Sequence, residues 1–400
     1  MPSWNRFRCP RDVVWGRGSI AQLANFSSQR ILIVTDQGMT KVGASGKVKE
    51  LLQKKDQEIK IFDAVEPEPS IQTVMKMIRE YQSLRPTVIV GLGGGSAIDA
   101  SKAFRVFLEH PHLTFEDVRY LDAPPRASIP PFTQTIHVTV ASTSGTGSDA
   151  SYASVITDPS IPAKCLIATP ELIPDMAIVD PDFADSMPVE VLVDSGMDAL
   201  THAIESYVSS KANDFSRGLS LQAIALILRY LPASFLERDP VAKEHMHYGA
   251  TIAGMAFSNS SNGICHSVAG IMGAAYHLTH GRANAIALPY VIQYNSPAVG
   301  EGYANVARAV GFEGRNQSEA VAYLIEKVKG LKKPLKVQTS YQEMGIPEDR
   351  FRSQLQEFVQ RAYALPATSW NPRKSTMEDL EGLFRACYEG NDRRLPGTQN

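Results

Sequence analysis

Along the first half of the chain, short runs of β-branched and apolar residues alternate with longer stretches whose apolar positions recur at helical spacing. The runs Ile31 to Thr35, Ile59 to Phe62, Thr87 to Val90, Ile136 to Val140 and Ala177 to Val179 predict strands. Between the first three, the pattern predicts helices over about residues 41 to 54 and 70 to 83, and a further helix opens near Ser96. Strand and helix in alternation imply an α/β domain with a mostly parallel sheet covered on both faces. Pro124, Pro125, Pro130 and Pro131 interrupt the pattern before the fourth strand and predict a surface loop.

After Pro188 the strand-like runs stop. Long patterned segments take their place at roughly 188 to 209, 216 to 231, 240 to 258, 262 to 277 and 301 to 311. A last helix is expected from near Thr376, with Glu378 and Asp379 suited to its first turn. The pattern therefore reads as two domains, α/β over 1–187 and all-α over 188–400, with the active site expected in the cleft between them.

Composition narrows the function more than the fold. The 400 residues are 44% apolar and 20% charged, ordinary for a soluble globular protein. Forty basic against 42 acidic side chains leave a net charge of -2, which offers no footprint for nucleic acid and points to a small ligand. Cys9, Cys165, Cys265 and Cys387 are far apart with no C-x-x-C pair, so a disulfide framework is not expected and a reducing compartment fits. The N-terminal M-P-S-W-N-R-F-R has no apolar signal core, and apolar stretches such as Ala223 to Leu228 are too short for a membrane span. The expectation is a cytoplasmic protein with no membrane partner, and a homodimer or higher homo-oligomer is the default for such an enzyme.

Two places carry chemistry. The predicted strand at 88–90 runs into G-L-G-G-G-S, Gly91 to Ser96, which opens a helix bearing Asp99 and Lys102. Glycines allow close backbone approach, and free N–H groups at a helix start favour a phosphate, so a dinucleotide is the natural occupant. The loop departs from G-x-G-x-x-G and follows the third predicted strand instead of the first; a glycine-rich turn without a ligand is the alternative. Asp36, ending the first predicted strand, is placed to accept from an adenosine ribose and to repel a 2′-phosphate, or else to cap a turn with Gly38. A second loop, Ala141 to Asp149, supplies hydroxyls and glycines that would wrap the cofactor or form a polar turn. The other place is G-M-D-A-L-T-H-A-I-E-S-Y with its Asp198 and His202 one helical turn apart, followed by His266 and His280. One carboxylate and three imidazoles suit Fe²⁺, Zn²⁺ or Mn²⁺ and leave room for a substrate oxygen. Spacing alone also admits a plain ion pair with two core histidines.

These residues belong to an ordered series that resembles the iron-containing, or group III, alcohol dehydrogenase family. The series runs G-G-G-S-x-x-D-x-x-K (Gly93 to Lys102), T-S-G-T-G-S-D (Thr143 to Asp149), P-D-M-A-I-V-D-P (Pro174 to Pro181), G-M-D-A-L-T-H-A-I-E (Gly196 to Glu205), G-M-A-F-S-N (Gly254 to Asn259) and H-G-x-A-N-A-I-x-L-P (His280 to Pro289), with W-N-P-R (Trp370 to Arg373) near the end. The resemblance implies an N-terminal dinucleotide-binding domain, a helical metal-binding domain, and one divalent metal, commonly Fe²⁺ and in some members Zn²⁺. Carried over by position, Asp198, His202, His266 and His280 are the implied metal ligands. Gly94, Gly95, Ser96, Asp99, Thr143, Thr146 and Lys164 are implied cofactor positions, and Asp36 occupies the position that favours NAD(H) over NADP(H) when acidic. Ala153, Phe257, Ala367 and Trp370 are the implied substrate lining. The implied reaction passes hydride between nicotinamide and a short alcohol or aldehyde, with the metal polarising the substrate oxygen.

The series departs from the family in two places. Gly270 stands where many members carry a histidine thought to relay protons, and Asp149 replaces the more usual glutamate. His277 is a candidate substitute relay, alongside the cofactor ribose and water. Arg373 is a candidate anion partner should the aldehyde carry an acid group. Two rival readings are a metal- and NAD-dependent lyase of the dehydroquinate-synthase type and a non-catalytic assembly protein on the same fold.

Overall fold

A computed structural model describes residues 5–27, 30–53, 57–120, 124–161 and 163–395. Residue 54, the last of the helix expected at 41–54, and the start of the N-terminal segment read for a signal lie outside the described residues. The chain divides into two compact units, Met1–Pro188 and Val189–Asn400.

Among the described residues the first unit holds nine strands: β1 (Asp12–Trp15), β2 (Arg30–Val34), β3 (Glu58–Phe62), β4 (Val88–Gly93), β5 (Arg119–Tyr120), β6 (Ile136–Ala141), β7 (Ala153–Asp158), β8 (Ala163–Ala168) and β9 (Met176–Val179). Six of them form a wholly parallel sheet in the order β1-β9-β6-β4-β2-β3. Alternate residues feed opposite faces, as a period of two requires. Leu32, Val34 and Ile89 pack with Val74, Met77 and Phe104 on one side. Ile31, Ile33, Val88 and Val90 pack with Leu23, Val48 and Leu52 on the other. The chain leaves β2 outward to β3 and returns to β4 on the opposite side of β2, so the ends of β2 and β4 flank the point where strand order reverses. Crevices at such points are where open α/β sheets take ligands.

The α/β reading of this half is correct, but four strands escaped the pattern. β5, β8 and β7 form a separate antiparallel sheet, in which β7 and β8 pair from Ala153↔Ala168 to Asp158↔Ala163. Their alternation covers only a few residues, and the Ser154 hydroxyl ties β7 to the carbonyl of Asp99, a tertiary contact no local pattern reveals. β1 is a four-residue edge strand, Asp-Val-Val-Trp, with Trp15 68% exposed, too short for an alternating pattern to stand out. The helix expected at 41–54 is two helices, Gln37–Lys41 and Ala44–Leu52, separated where Gly43 takes a left-handed conformation (φ 80°). The proline segment around Pro130 is an irregular, largely exposed loop, as expected.

The second unit is helical, with helices Val189–Val208, Asp214–Leu236, Pro240–Phe257, Ile264–Tyr276, His280–Ala309, Gln317–Lys332, Glu348–Ala364, Pro366–Trp370 and Met377–Glu389. Thr376 caps the last of these in a capping box with Asp379, matching the expected start. The thirty-residue His280–Ala309 helix was anticipated only over its final turns. It contains Pro289 and Pro297 and is kinked at Val299 (φ -135°), and internal prolines are normally read as helix ends. Asp214–Leu236 is long and apolar enough to cross a membrane by length and composition, beyond what the Ala223 to Leu228 run suggested. One face of it packs against neighbouring helices: Ser220 bonds to Ser206, Leu231 fits against Gly196 and Ile227 against Gly249. The four cysteines are unpaired.

Candidate metal centre and cofactor loops

The candidate metal cluster is assembled by three helices of the second unit. Asp198 and His202 project from the same face of Val189–Val208, with His202 Nδ1 3.9 Å from Asp198 Oδ2. A β-carbon on Gly196 would lie 2.5 Å from Leu231 Cδ1, so glycine is what allows the Asp214–Leu236 helix to approach here. His266 comes from the first turn of Ile264–Tyr276 and puts Nε2 3.9 Å from Asp198 Oδ1. Ligand atoms of Asp198, His202 and His266 all lie within 4.8 Å of one another.

His280 opens the third helix, with its Nε2 3.7 Å from Asp198 Oδ1. The approach depends on Gly281, where a β-carbon would collide with the backbone of Asp194. Asp194, one turn before Asp198, also accepts from the Thr279 hydroxyl and pairs with Arg282 at 2.7 Å, which pins the start of the His280 helix. His280 is the exposed member, its side chain 42% accessible against 5% for Asp198.

The electrostatics favour a bound cation. Burial works against a charged Asp198, yet His202, His280 and His266, with the Asn284 amide donating at 2.8 Å, hold its carboxyl below the usual range. Burial likewise favours a neutral His266, but Glu205 and Asp198 overrule it and raise the ring's pKa. His266 Nδ1 is bonded to Glu205 at 2.5 Å, while its buried Nε2, directed at the cluster, finds no hydrogen-bond partner among the described residues. A buried ring nitrogen without a partner is costly unless something electropositive meets it. One carboxylate with imidazoles is a donor set suited to Fe²⁺ or Zn²⁺.

In the first unit the cofactor-loop residues come together around the end of β4. Gly93 (φ 144°) has a backbone that side-chain-bearing residues rarely adopt, and a β-carbon there would lie 3.0 Å from Asp36 Oδ2. β-Carbons on Gly94 and Gly95 would meet Thr143 at 3.3 Å and Thr146 at 2.9 Å. The Gly95–Glu109 helix starts at this point with no side-chain cap, leaving first-turn N–H groups for a ligand. Asp36 also caps its own short helix by accepting from Met39 N at 3.0 Å, the turn-capping role weighed for it. Ser96 Oγ accepts from Glu68 N, and the Glu68 carboxylate pairs with Lys164 at 2.7 Å, so one residue links those two positions, through its backbone on one side and its side chain on the other. Asp99 turns inward, accepting from Ser148 Oγ at 2.5 Å and Val155 N at 3.0 Å, and thereby fixes the second loop. Buried Lys102 bonds to Ser148, Ser151 and the Ala153 carbonyl, and burial lowers its pKa to about 8.

The chain matches the model of iron-containing alcohol dehydrogenases over residues 10–181 and that of the family's C-terminal domain over residues 192–388. It belongs to the iron-containing alcohol dehydrogenase family. It is 39% identical to an NADPH-dependent butanol dehydrogenase of Clostridium saccharobutylicum, over 97% of this chain and 99% of that protein. It is 36% identical to an aldehyde-alcohol dehydrogenase of Streptococcus pneumoniae, over 98% of this chain but only 47% of that longer protein. An iron-containing alcohol dehydrogenase structure from Thermococcus thioreducens superposes with a TM-score of 0.89 at 32% identity, covering 96% of this chain and 100% of that one.

Three expectations change in this family frame. His277 is an exposed helix C-cap with φ 56°, and among the described residues no hydrogen bond or ring contact joins it to the ligand cluster; its geometry suits chain reversal before His280, and relay duty gains no support. Arg373 is committed to structure: it donates to the Tyr294 carbonyl at 2.7 Å and lies 4.2 Å over that ring, so it is not a waiting anion site. NAD preference is not carried by the relatives, since the butanol dehydrogenase is named NADPH-dependent. Of the implied substrate lining, Phe257 stacks on His202 with centroids 4.6 Å apart. Ala367 and Trp370 share the short Pro366–Trp370 helix, with Lys211 over the Trp370 ring, and Ala153 begins β7. Glu205 and Asn284 were not singled out from sequence. Glu205 lies three residues after His202 on the same helix face, which was the available signal.

Proposed function

We propose that this chain is a metal-dependent, nicotinamide-linked alcohol dehydrogenase working on short alcohols and aldehydes, with NAD(H) preferred. The observation that carries the reading is the buried cluster of Asp198, His202 and His266, with the free Nε2 of His266 turned into it. These three residues and His280 would hold the ion, Fe²⁺ first and Zn²⁺ second by donor chemistry. When bound, the ion supplies Lewis-acid polarisation of an alcohol or carbonyl oxygen, and nicotinamide supplies the hydride chemistry.

The chain's own residues do the rest. Asp198 contributes the negative charge that keeps the site selective for a cation, and Asn284 orients it. Phe257 locks the His202 ring by stacking and offers an apolar wall suited to a short carbon chain. The N–H groups at the start of the Gly95–Glu109 helix suit a pyrophosphate, with Thr143 and Thr146 closing over it. The Asp36 carboxylate beside Gly93 suits a ribose hydroxyl and disfavours a 2′-phosphate, which supports NAD(H). Gly270 has no proton to exchange, and the cofactor ribose and ordered water are the remaining carriers.

The deciding experiment strips the protein of metal, restores Fe²⁺ or Zn²⁺, and follows NADH and NADPH consumption with neutral and acid-bearing short aldehydes. Metal-dependent, steady consumption of NADH by neutral aldehydes is expected. Turnover indifferent to metal, or cofactor binding with no net redox change, would overturn the proposal and favour the lyase or the assembly role.

A further inference from the structure

We propose that Glu205 is the positioning residue of the metal centre, setting the tautomer and aim of His266; this rests on the metal reading above. Glu205 is 3% exposed and follows Asp198 by seven residues and His202 by three, so all three lie on one stripe of the Val189–Val208 helix. Its two oxygens serve two donors. Oε2 accepts from His266 Nδ1 at 2.5 Å and Oε1 accepts from Cys265 N at 2.6 Å. A carboxylate can only accept, so the Nδ1 proton is fixed and Nε2 is the nitrogen left for an ion.

The second bond explains why the first is rigid. Helix Ile264–Tyr276 has no side-chain cap of its own, because its N-cap is Gly263. Its opening N–H groups are met from a distance, Cys265 N by Glu205 and Ile264 N by Asn371 Oδ1 at 3.3 Å. A β-carbon on Gly263 would lie 2.8 Å from Glu205 Oε1 and 3.1 Å from Asn371 Oδ1, so the glycine makes room for both acceptors. Asn371 is held in turn by a reciprocal pair with Asn295 at 3.0 and 2.7 Å. A carboxylate at a helix N-terminus also meets the positive end of the dipole. Glu205 is thus clamped by the helix that carries His266, and the asparagine of W-N-P-R acquires a role as a brace of that same helix end.

An amide has one acceptor oxygen where a carboxylate has two, so in Glu205→Gln one of the two donors must face an N–H. The test is the dissociation constant of Co²⁺, read from its visible absorption, for the metal-stripped full chain and for Glu205→Gln, Glu205→Asp and His266→Ala. Melting of each metal-free protein is followed in parallel. Glu205→Gln is expected to weaken Co²⁺ about 10–100-fold and to shift the absorption band, as loss of a residue holding a ligand does elsewhere. Glu205→Asp keeps the charge one methylene short and should fall between the two, and it stands in should the amide variant not fold. A lowered melting temperature with unchanged Co²⁺ affinity in whichever variant folds would leave Glu205 a helix cap only and overturn the proposal. Retained wild-type affinity in His266→Ala would instead bring down the metal reading itself.

Discussion

In the glycine loop of the first unit the groups offered to a ligand are backbone N–H groups, bare because Gly93, Gly94 and Gly95 carry no side chains and sit under Asp36, Thr143 and Thr146. In the second unit they are side-chain atoms on three separate helices, brought together by glycines that serve packing, at Gly196 and Gly281. A backbone site tolerates little side-chain volume but draws modestly on any one residue. A side-chain site concentrates its chemistry in a few atoms, and each atom relies on neighbours to aim it. Substitutions should therefore act differently in the two units.

The sharpest break falls in the second unit. His266→Ala removes a ring whose Nε2 is buried in the cluster, and metal-dependent turnover should drop by about 10³-fold or more, several kcal/mol of transition-state stabilisation. Measuring kcat/KM with added Fe²⁺ would show it, and a variant that stays active would remove His266 from the centre. In the first unit the comparable insult is added volume. Gly95→Val places carbon where a β-carbon already lies 2.9 Å from Thr146 Cγ2, and NADH binding by fluorescence should weaken about 10–100-fold while Co²⁺ affinity holds. Loss of metal binding as well would mean that the two sites are not separable.

Asp36→Gly sharpens the cofactor side. Removing the carboxylate beside Gly93 should shift the ratio of kcat/KM for NADPH over NADH by about tenfold toward NADPH, one charge contact's worth. An unmoved ratio would release Asp36 from that role and leave it a helix cap.

A slower dependence concerns His137, fully buried on β6, where burial first and then Arg105 and Lys102 push its pKa well below the usual 6.5. The unfolded chain takes up a proton near that value and the folded chain does not. Its contribution to stability is therefore present above about pH 6.5 and lost as pH falls below it, at up to about 1.4 kcal/mol per unit. Denaturant unfolding at about pH 7 and pH 5 should show a shallower slope in His137→Gln. The smallest effect is at Gly270, where a β-carbon would meet nothing within 4 Å. Gly270→Ala should raise stability by about 0.5–1 kcal/mol through helix propensity alone, and a fall in melting temperature would reveal a contact not visible here.

Much of the first unit was legible because its signals are local. Strand runs such as Ile31 to Thr35 and the glycine loop each declare themselves within a few residues, since a period of two or an absent side chain acts on the backbone directly. β7 and β8 were illegible because their short pairing leans on Asp99 and Lys102 far away in sequence. In the second unit, Asp198 and His202 were legible as an i, i+4 pair, whereas His266 and His280 gained meaning only through the family's motif order. Arg373 shows the limit of residue type, which announces what a side chain is able to do, while packing decides whether it is already engaged.

By itself, the sequence determined the α/β and helical halves, the glycine loop at a helix start, and a supply of one carboxylate and three imidazoles. Those follow from periodicity, backbone freedom and side-chain chemistry, all properties of short segments. Only the tertiary structure decided that Asp198, His202 and His266 meet within 4.8 Å, that His266 leaves Nε2 open, and that Glu205 holds its other nitrogen. Distances between residues dozens of positions apart are set by how helices pack, and that depends on the fit of the whole core.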